Sequence, residues 1–404
     1  MYDELYALRE TAKRFLECAF SEENARKKDM LYAADGQRGM QPLVLIGADA
    51  YADRWLPPCV CLNPVYRKLE RIMTLAIYKH NDIRDDEYIK PRVTVNWDHN
   101  FLPLGIDVPV SCVKDAQGES YAQKWSHFIT SPSQTHLLRE SVMEINREAT
   151  MRNLEMAREA IGDIVDVVLV APFISFSIAV EAFYLMGMEN MFIGMIDEPE
   201  AAYALFERIA EEELKWFRLL EREGVLVPND DISQVRWRRP DQRLKPDNPA
   251  KLNGIWGNFC CQEFSCVSPQ MFGEFIFPLY QKHAHEFGLI HYACCEPVDK
   301  IWDPYLSQIP NIASVNITAW CDEHVMGEQL CGKNVIYSRK PHPVFLSDDV
   351  FDEEAFRKHI NITLEAARGC RLQFAYIDVI NPRDTSRPGR AVEIMRECID
   401  SYAG

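Results

Sequence analysis

A chain of 404 residues with 47% hydrophobic and 26% charged side chains carries enough apolar material to bury a large core, which argues against disorder. Its 61 acidic residues against 44 basic ones leave a formal net charge of -17, a field that repels phosphate backbones and anionic lipid headgroups. Nucleic acid and membrane surfaces are therefore not expected as partners, and no apolar run reaches the ~18 residues a spanning helix needs. The opening MYDELYALRETAKRF lacks the basic start and apolar centre of a secretion signal, so the cytoplasm is the expected compartment. Thirteen cysteines, an odd number without regular spacing, fit a reducing compartment better than a disulfide scaffold.

Residues 1–40 read as a helical extension, with Leu5, Leu8, Phe15, Leu16 and Phe20 near helical spacing until Gly36. The apolar run 42–47 suits a buried strand, and Pro57, Pro58 and Pro64 break the chain before a second helix over 65–83. PRVTVNWDHN (91–100) predicts a strand with Trp97, Asp98 and His99 at its tip. A helical stripe is expected over 134–161, through Leu137, Leu138, Val142, Ile145, Met151, Leu154, Met156 and Ala160, followed by a strand over 164–172. The segment 197–224 is the clearest helix, acidic in its first turn and closed by Gly224. Residues 228–252, Pro-rich and charged, predict a surface excursion rather than a linker between domains.

From there one rhythm repeats. Strands are expected over 254–261, 288–294, 312–318, 334–338 and 372–378, with helices over 269–286, 297–306, 323–330 and 352–369. Strands alternating with helices imply right-handed crossovers and a parallel sheet. About eight such units close a barrel, so the expected fold is α/β, a (β/α)8 TIM-type barrel of one domain with an N-terminal helical extension.

In such a barrel chemistry gathers at the C-terminal ends of the strands. The residues there are Cys260, Cys261 and Glu263; His291, Tyr292, Cys294, Cys295 and Glu296; Trp320, Cys321 and Asp322; Ser338, Arg339, Lys340 and His342; and Asp378. Thiolates, imidazoles and carboxylates are the donors that hold zinc. Lys340 and Arg339 suit a substrate carboxylate or phosphate, and Trp97 and His99 suit substrate contact. Each has a plainer reading: adjacent cysteines pack as small hydrophobes, His291 sits among apolar neighbours, and Glu263 or Glu296 ion-pairs with Lys340 or Arg339.

The segments CVSPQMFGEFIFPLYQKHAHEFGLIHYACCEP, IPNIASVNITAWCDEHVMGEQLCGKNVIYSRKPHP and FAYIDVINPRDTSRPGR resemble the C-terminal half of the uroporphyrinogen decarboxylase superfamily, over roughly residues 250–390. VAPFISFSIAVEAFYLMGMENMFIGMIDEPEAAYAL resembles its middle section, and residues 1 to about 90 match loosely. The Arg-rich N-terminal motif of the true decarboxylases has no counterpart before Gly47, which favours the corrinoid-linked zinc methyltransferase branch. The resemblance implies a zinc site at a His-x-Cys strand tip and a later cysteine. Here those positions fall on Tyr292-Ala293-Cys294 and near Asp378, so Glu263, His291, Cys294 and Cys295 are the expected zinc donors. Asp378, Tyr292 and Lys340 are the expected catalytic groups, and Arg339, His342, Trp97 and His99 the expected substrate contacts. The implied partners are a small methylated substrate and a small protein carrying a corrinoid. A metal-free decarboxylase or lyase, and a non-catalytic corrinoid- or tetrapyrrole-binding protein, are the alternatives.

Overall fold

The computed structural model describes residues 2–33, 41–114, 120–229, 243–244, 247–377, 379 and 381–403. Two helices, α1 (Tyr2–Ala19) and α2 (Glu22–Ala33), open the described chain where helix was expected. Leu8, Ala12, Phe15 and Ala19 of α1 recur about once per turn and are buried. They pack into a cluster with Leu69, Met73 and Ile77. After β1 (Leu43–Ile46) comes the helix carrying those three, α3 (Pro64–Tyr78). Asn63 starts it by accepting the amides of Val65 and Tyr66, and Pro64 fits the first turn because no partner awaits its missing N–H.

β2 (Arg92–Asn96) leads into an antiparallel insertion that the sequence reading missed: β3 (His99–Leu102), β4 (Val110–Lys114), β5 (Ser120–Trp125) and β6 (Val142–Ile145), paired β3 with β6 and β4 with β5. The helix expected over 134–161 is therefore real only in α4 (Arg147–Ile161). Val142 and Ile145 match helical spacing but lie in β6. The stronger local signal is Asn146, whose side chain accepts the Ala149 amide and so begins the helix there. Beyond it follow β7 (Asp166–Val170), β8 (Ser175–Phe176), α5 (Ile178–Asp197) and α6 (Pro199–Arg222). Most of the expected excursion at 228–252 lies outside the described residues.

The last part alternates as expected: β9 (Trp256–Phe259), α7 (Pro269–Phe275), α8 (Phe277–Ala284), β10 (Leu289–Tyr292), α9 (Asp299–Trp302), β11 (Ile312–Ile317), α10 (Glu323–Leu330), β12 (Ile336–Arg339), α11 (Val344–Ser347), α12 (Glu353–Ala366), β13 (Arg371–Tyr376) and α13 (Arg387–Ala403). The single helix expected over 269–286 divides at Ile276, because Pro278 cannot donate to the preceding turn. Among the described residues no helix is long and apolar enough to cross a membrane.

A seven-stranded sheet runs β1-β13-β12-β11-β10-β9-β8, parallel throughout, and β2 pairs in parallel with β7. The α/β class with a parallel sheet is thus as expected. Among the described residues no ladder joins β1 to β2. Two carboxylates stand at that edge instead: Asp86 accepts the Val44 amide at 2.6 Å and Asp85 the Ile46 amide at 2.8 Å, while the Asp86 amide donates to the Val44 carbonyl at 2.8 Å. Lys79 ion-pairs with Asp85 at 2.9 Å and also with Glu87, and Arg396 of α13 ion-pairs with Asp86.

Alternation along the strands separates two faces. Phe259, Tyr292, Val315, Ile317 and Tyr337 join one apolar cluster, and Val44, Ile46, Phe374 and Tyr376 another, both shared with the helices. Among the intervening positions Asn258, His291, Ser314, Asn316, Ser338 and Gln373 are polar and buried, whereas Leu43, Leu45, Trp256, Leu289 and Ala375 are buried and apolar. Gln373 Nε2 donates to Ser338 Oγ at 3.0 Å across this inner face.

The carboxylates at the β1 edge give a direct test. Asp86→Ala removes the acceptor of a buried amide and leaves Arg396 without its partner, so stability should fall by about 2–4 kcal/mol. Urea unfolding at unchanged m-value measures it, and an unmoved midpoint would show that the seam carries no weight.

Candidate functional site

β10 ends at Tyr292, so the strict alternation that would have sent Cys294 and Cys295 to opposite faces does not extend to them. The turn brings both toward the tips of neighbouring strands. Ser175 Oγ meets Ser177 Oγ at 2.8 Å, and Ser177 Oγ meets Cys260 Sγ at 3.2 Å. Cys260 and Cys295 both lie close enough to the Cys294 side chain to shift its ionisation. Cys294 Sγ also donates to Gln262 Oε1 at 2.7 Å. From beyond β12, Lys340 Nζ donates to the Cys294 carbonyl at 3.2 Å and to Cys295 Sγ at 3.4 Å. Lys340 is only 3% exposed. Chain segments at the ends of β8, β9, β10 and β12 thus meet at three thiols and one ammonium. The Cys260 side chain drives the Cys294 thiol well above its ordinary pKa, with Cys295 acting in the opposite sense.

Carboxyl groups flank the thiols. Glu213 accepts the Ser177 amide, and burial, with Glu181 adding, pushes it well up. Glu181 is pushed up to about 7 by burial and by the charge of Glu263. Glu263 is raised by burial, with Glu296 adding to the rise. Burial also raises Glu296, against the Cys261 amide that it accepts at 2.7 Å and against Tyr292 and Lys340. The Cys261 thiol, buried between Glu296 and Glu263, is driven well up by its burial.

Of the expected residues, Cys294, Cys295 and Lys340 come together. Glu263 faces Glu181 and Glu296, and Tyr292 lies on the helix side of the sheet, its ring 6.3 Å from that of Tyr280. His291 lies below the turn, 1% exposed on the inner face. Among the described residues no group of three or more His, Cys, Asp or Glu side chains is arranged to hold a metal ion. As placed, Glu263, His291, Cys294 and Cys295 therefore do not fit zinc. Arg339 turns to the helices, where it binds Glu323, Thr363 Oγ1 at 3.2 Å and the Ile317 carbonyl at 3.1 Å. His342 takes the Val344 amide on Nδ1 at 3.2 Å and lies 5.8 Å from the Trp320 ring. Trp97 is buried under the Arg147 guanidinium at 5.3 Å, and His99 stacks on Trp216 at 5.6 Å, so neither joins the thiols. Asp378 lies outside the described residues.

Sequence reasoning did not select Ser177, Gln262, Glu181 or Glu213, and it named Cys260 without giving it a role. A usable signal existed for Cys260, since counting by twos from Asn258 puts it on the inner face.

No family model matches the sequence, and no curated protein matches it. Among solved structures, a methyltransferase from Methanosarcina mazei aligns over 94% of this chain and 99% of its own, with a TM-score of 0.51 and 12% sequence identity. The two chains share a fold. That likeness concerns the path of the backbone, and it agrees with the expectation of a methyltransferase-like α/β architecture.

The Glu181 carboxyl yields a pH test with a definite sign. Unfolded, it loses its proton near its ordinary value of 4.5; folded, it keeps it to about 7. Its contribution to stability is therefore fully present below the lower value and lost as pH rises through the upper one, by up to roughly 3 kcal/mol at about 1.4 kcal/mol per pH unit. Glu181→Gln should lessen the fall in stability between about pH 5 and pH 8, read by urea unfolding at both. An identical fall in the variant would place the titration elsewhere.

Proposed function

We propose that the chain is a methyltransferase that moves a methyl group between a small methylated substrate and a corrinoid presented by a partner protein, with its site at the strand tips around Cys260, Cys294, Cys295 and Lys340. The gathering of those four side chains is the observation that carries this reading. The shared backbone path with a methyltransferase is consistent with it. We further propose that the strands form a (β/α)8 barrel in which β1 and β2 are neighbours across the Asp85–Asp86 seam. That arrangement sets all the tips on one rim, the face where barrels of this kind place their chemistry.

A methyl group on oxygen, nitrogen or sulfur leaves poorly until the heteroatom is made electron-poor. Zinc is expected from the family resemblance, yet the expected donor set does not fit it, and no step is drawn through it. The chain's own groups supply another route. Glu263, held toward its protonated form by burial, lies near the cluster and can give a proton to the departing heteroatom. Lys340 stabilises negative charge that develops on a thiol or on the leaving group. Gln262 and Ser177 hold Cys294 and Cys260 in place through their hydrogen bonds. A corrinoid on a docked carrier would supply the nucleophile that takes the methyl group. For an uncharged donor the balance is one C–heteroatom bond broken, one methyl bond formed, and one proton passed to the product; a cationic ammonium donor leaves as the neutral amine and takes up no proton.

The test is turnover. Purified protein mixed with reduced corrinoid and methoxylated aromatics, methylated amines or thioethers should methylate the corrinoid, followed by its visible spectrum. Cys294→Ser and Lys340→Met should each slow transfer by about 100-fold, equivalent to ~2.7 kcal/mol of barrier. Carbon dioxide release from a carboxylated substrate without any methyl transfer would replace this reading with the decarboxylase alternative.

A further inference from the structure

A cavity of about 380 Å³ is walled by the turns after β9, β10 and β11. Its size falls within the roughly 300–1,000 Å³ common for small-molecule sites. Phe264, Phe272, Ile301, Glu296, Asp299 and Trp320 are among the residues that line it. Glu296 is 3% exposed, and only its Oε1 is engaged, by the Cys261 amide at 2.7 Å. Among the described residues, Oε2 of Glu296 and Oδ1 of Asp299 are buried without a hydrogen-bond partner of acceptable geometry. The Tyr292 hydroxyl, which adjoins Glu296, is not aligned to satisfy it.

A buried carboxylate oxygen left unpaired is costly, which makes this wall a site waiting for a donor or a positive charge. The aromatic component narrows the choice. Trp320 is 58% exposed, an unusual state for so large a ring, and its side chain forms part of the cavity wall. An indole face beside carboxylates suits an organic ammonium: the ring quadrupole and the carboxylates attract it together, and its methyl groups suit the neighbouring phenylalanines. An anion would meet Glu296 and Asp299, offset by Lys300 in the same lining and by the charge of Lys340 acting on Glu296.

We infer that this cavity binds a small organic ammonium, with Glu296 and Asp299 as its counter-charges and Trp320 as its aromatic wall. The inference rests on the methyltransferase reading at one point, since there it names the methyl donor class as an N-methylated amine. Cys261 and Glu296 belong both to the cavity wall and to the segments that carry the thiols, so a ligand held here adjoins them.

Calorimetric titration of the full chain with choline, and with its uncharged isostere 3,3-dimethyl-1-butanol, tests the assignment. Choline should bind saturably and at least 10-fold more tightly than the isostere. Glu296→Gln and Trp320→Ala should each weaken choline at least 10-fold. Trp320→Ala alters an exposed ring and leaves the core intact, so its result stands even where Glu296→Gln fails to fold. Absence of saturable choline binding, equal binding of the two ligands, or indifference to Trp320→Ala would overturn the assignment. Choline binding without methyl transfer from any donor keeps the site and removes the methyltransferase reading. Transfer from an ether or thioether donor without choline binding keeps that reading and removes the site.

Discussion

Every amide and carbonyl of a buried parallel strand must find a partner, and at the β1 edge that requirement is met by charge rather than by another ladder. Asp85 and Asp86 present carboxylate oxygens to the Ile46 and Val44 amides, where a neighbouring strand would have presented carbonyls. Ionised acceptors bind more strongly than neutral ones, but buried they need neutralising cations. Burial acts on Lys79 to lower its pKa, yet Asp85 and Glu87 together overcome it and hold the ammonium charged. Arg396 performs the same service for Asp86 from α13. One short run, Asp85-Asp86-Glu87, therefore ties β1 to the segment after α3 and to the last helix of the chain.

Most parallel sheets are apolar on both faces. This one is apolar toward its helices and mixed on the other face, where Leu43, Leu45, Trp256, Leu289 and Ala375 stand beside polar side chains. On the other face Asn258, His291, Ser314, Asn316, Ser338 and Gln373 are all buried, and among the described residues Ser314 Oγ and Asn316 Oδ1 have no hydrogen-bond partner. Such a lining sacrifices hydrophobic stabilisation that a leucine or valine at the same positions would have given. A departure of that kind, repeated on five consecutive strands, is what a functional interior demands of a fold. It also explains why Cys260 and Lys340 are presented as they are, since each continues the polar face of its strand past the last ladder pair.

The periodic parts of the architecture were readable from the sequence because periodicity is a local property. α10 occupies the expected residues 323–330, and β11 differs from expectation by one residue. The failures came where a distant partner decided the outcome. Val142 and Ile145 belong to β6 because β3 pairs with them some forty residues earlier, a contact that no helical wheel contains. Cys294 and Cys295 could not be assigned to faces from alternation, because the strand stops two residues before the first of them. Arg339 and Lys340 look alike in sequence, yet alternation sends Arg339 to Glu323 and Lys340 to the thiols.

That last contrast bears on how the site divides its work. Two cations, both almost wholly buried and adjacent in the chain, meet different environments. The guanidinium of Arg339 is saturated by a carboxylate, a hydroxyl and backbone carbonyls, so it holds β12 against the helices. The ammonium of Lys340 reaches, among its partners, the Cys294 carbonyl and the Cys295 thiol at longer range, and its charge also acts on Glu296. A positive charge at the thiols and a proton-holding acid, Glu263, near the same turn are an arrangement in which unlike environments separate the roles: one group stabilises developing negative charge while the other supplies the proton. Replacing either element by its neighbour's chemistry would collapse that separation, which is why Lys340 and Glu263 carry more of the mechanism than their share of the sequence suggests.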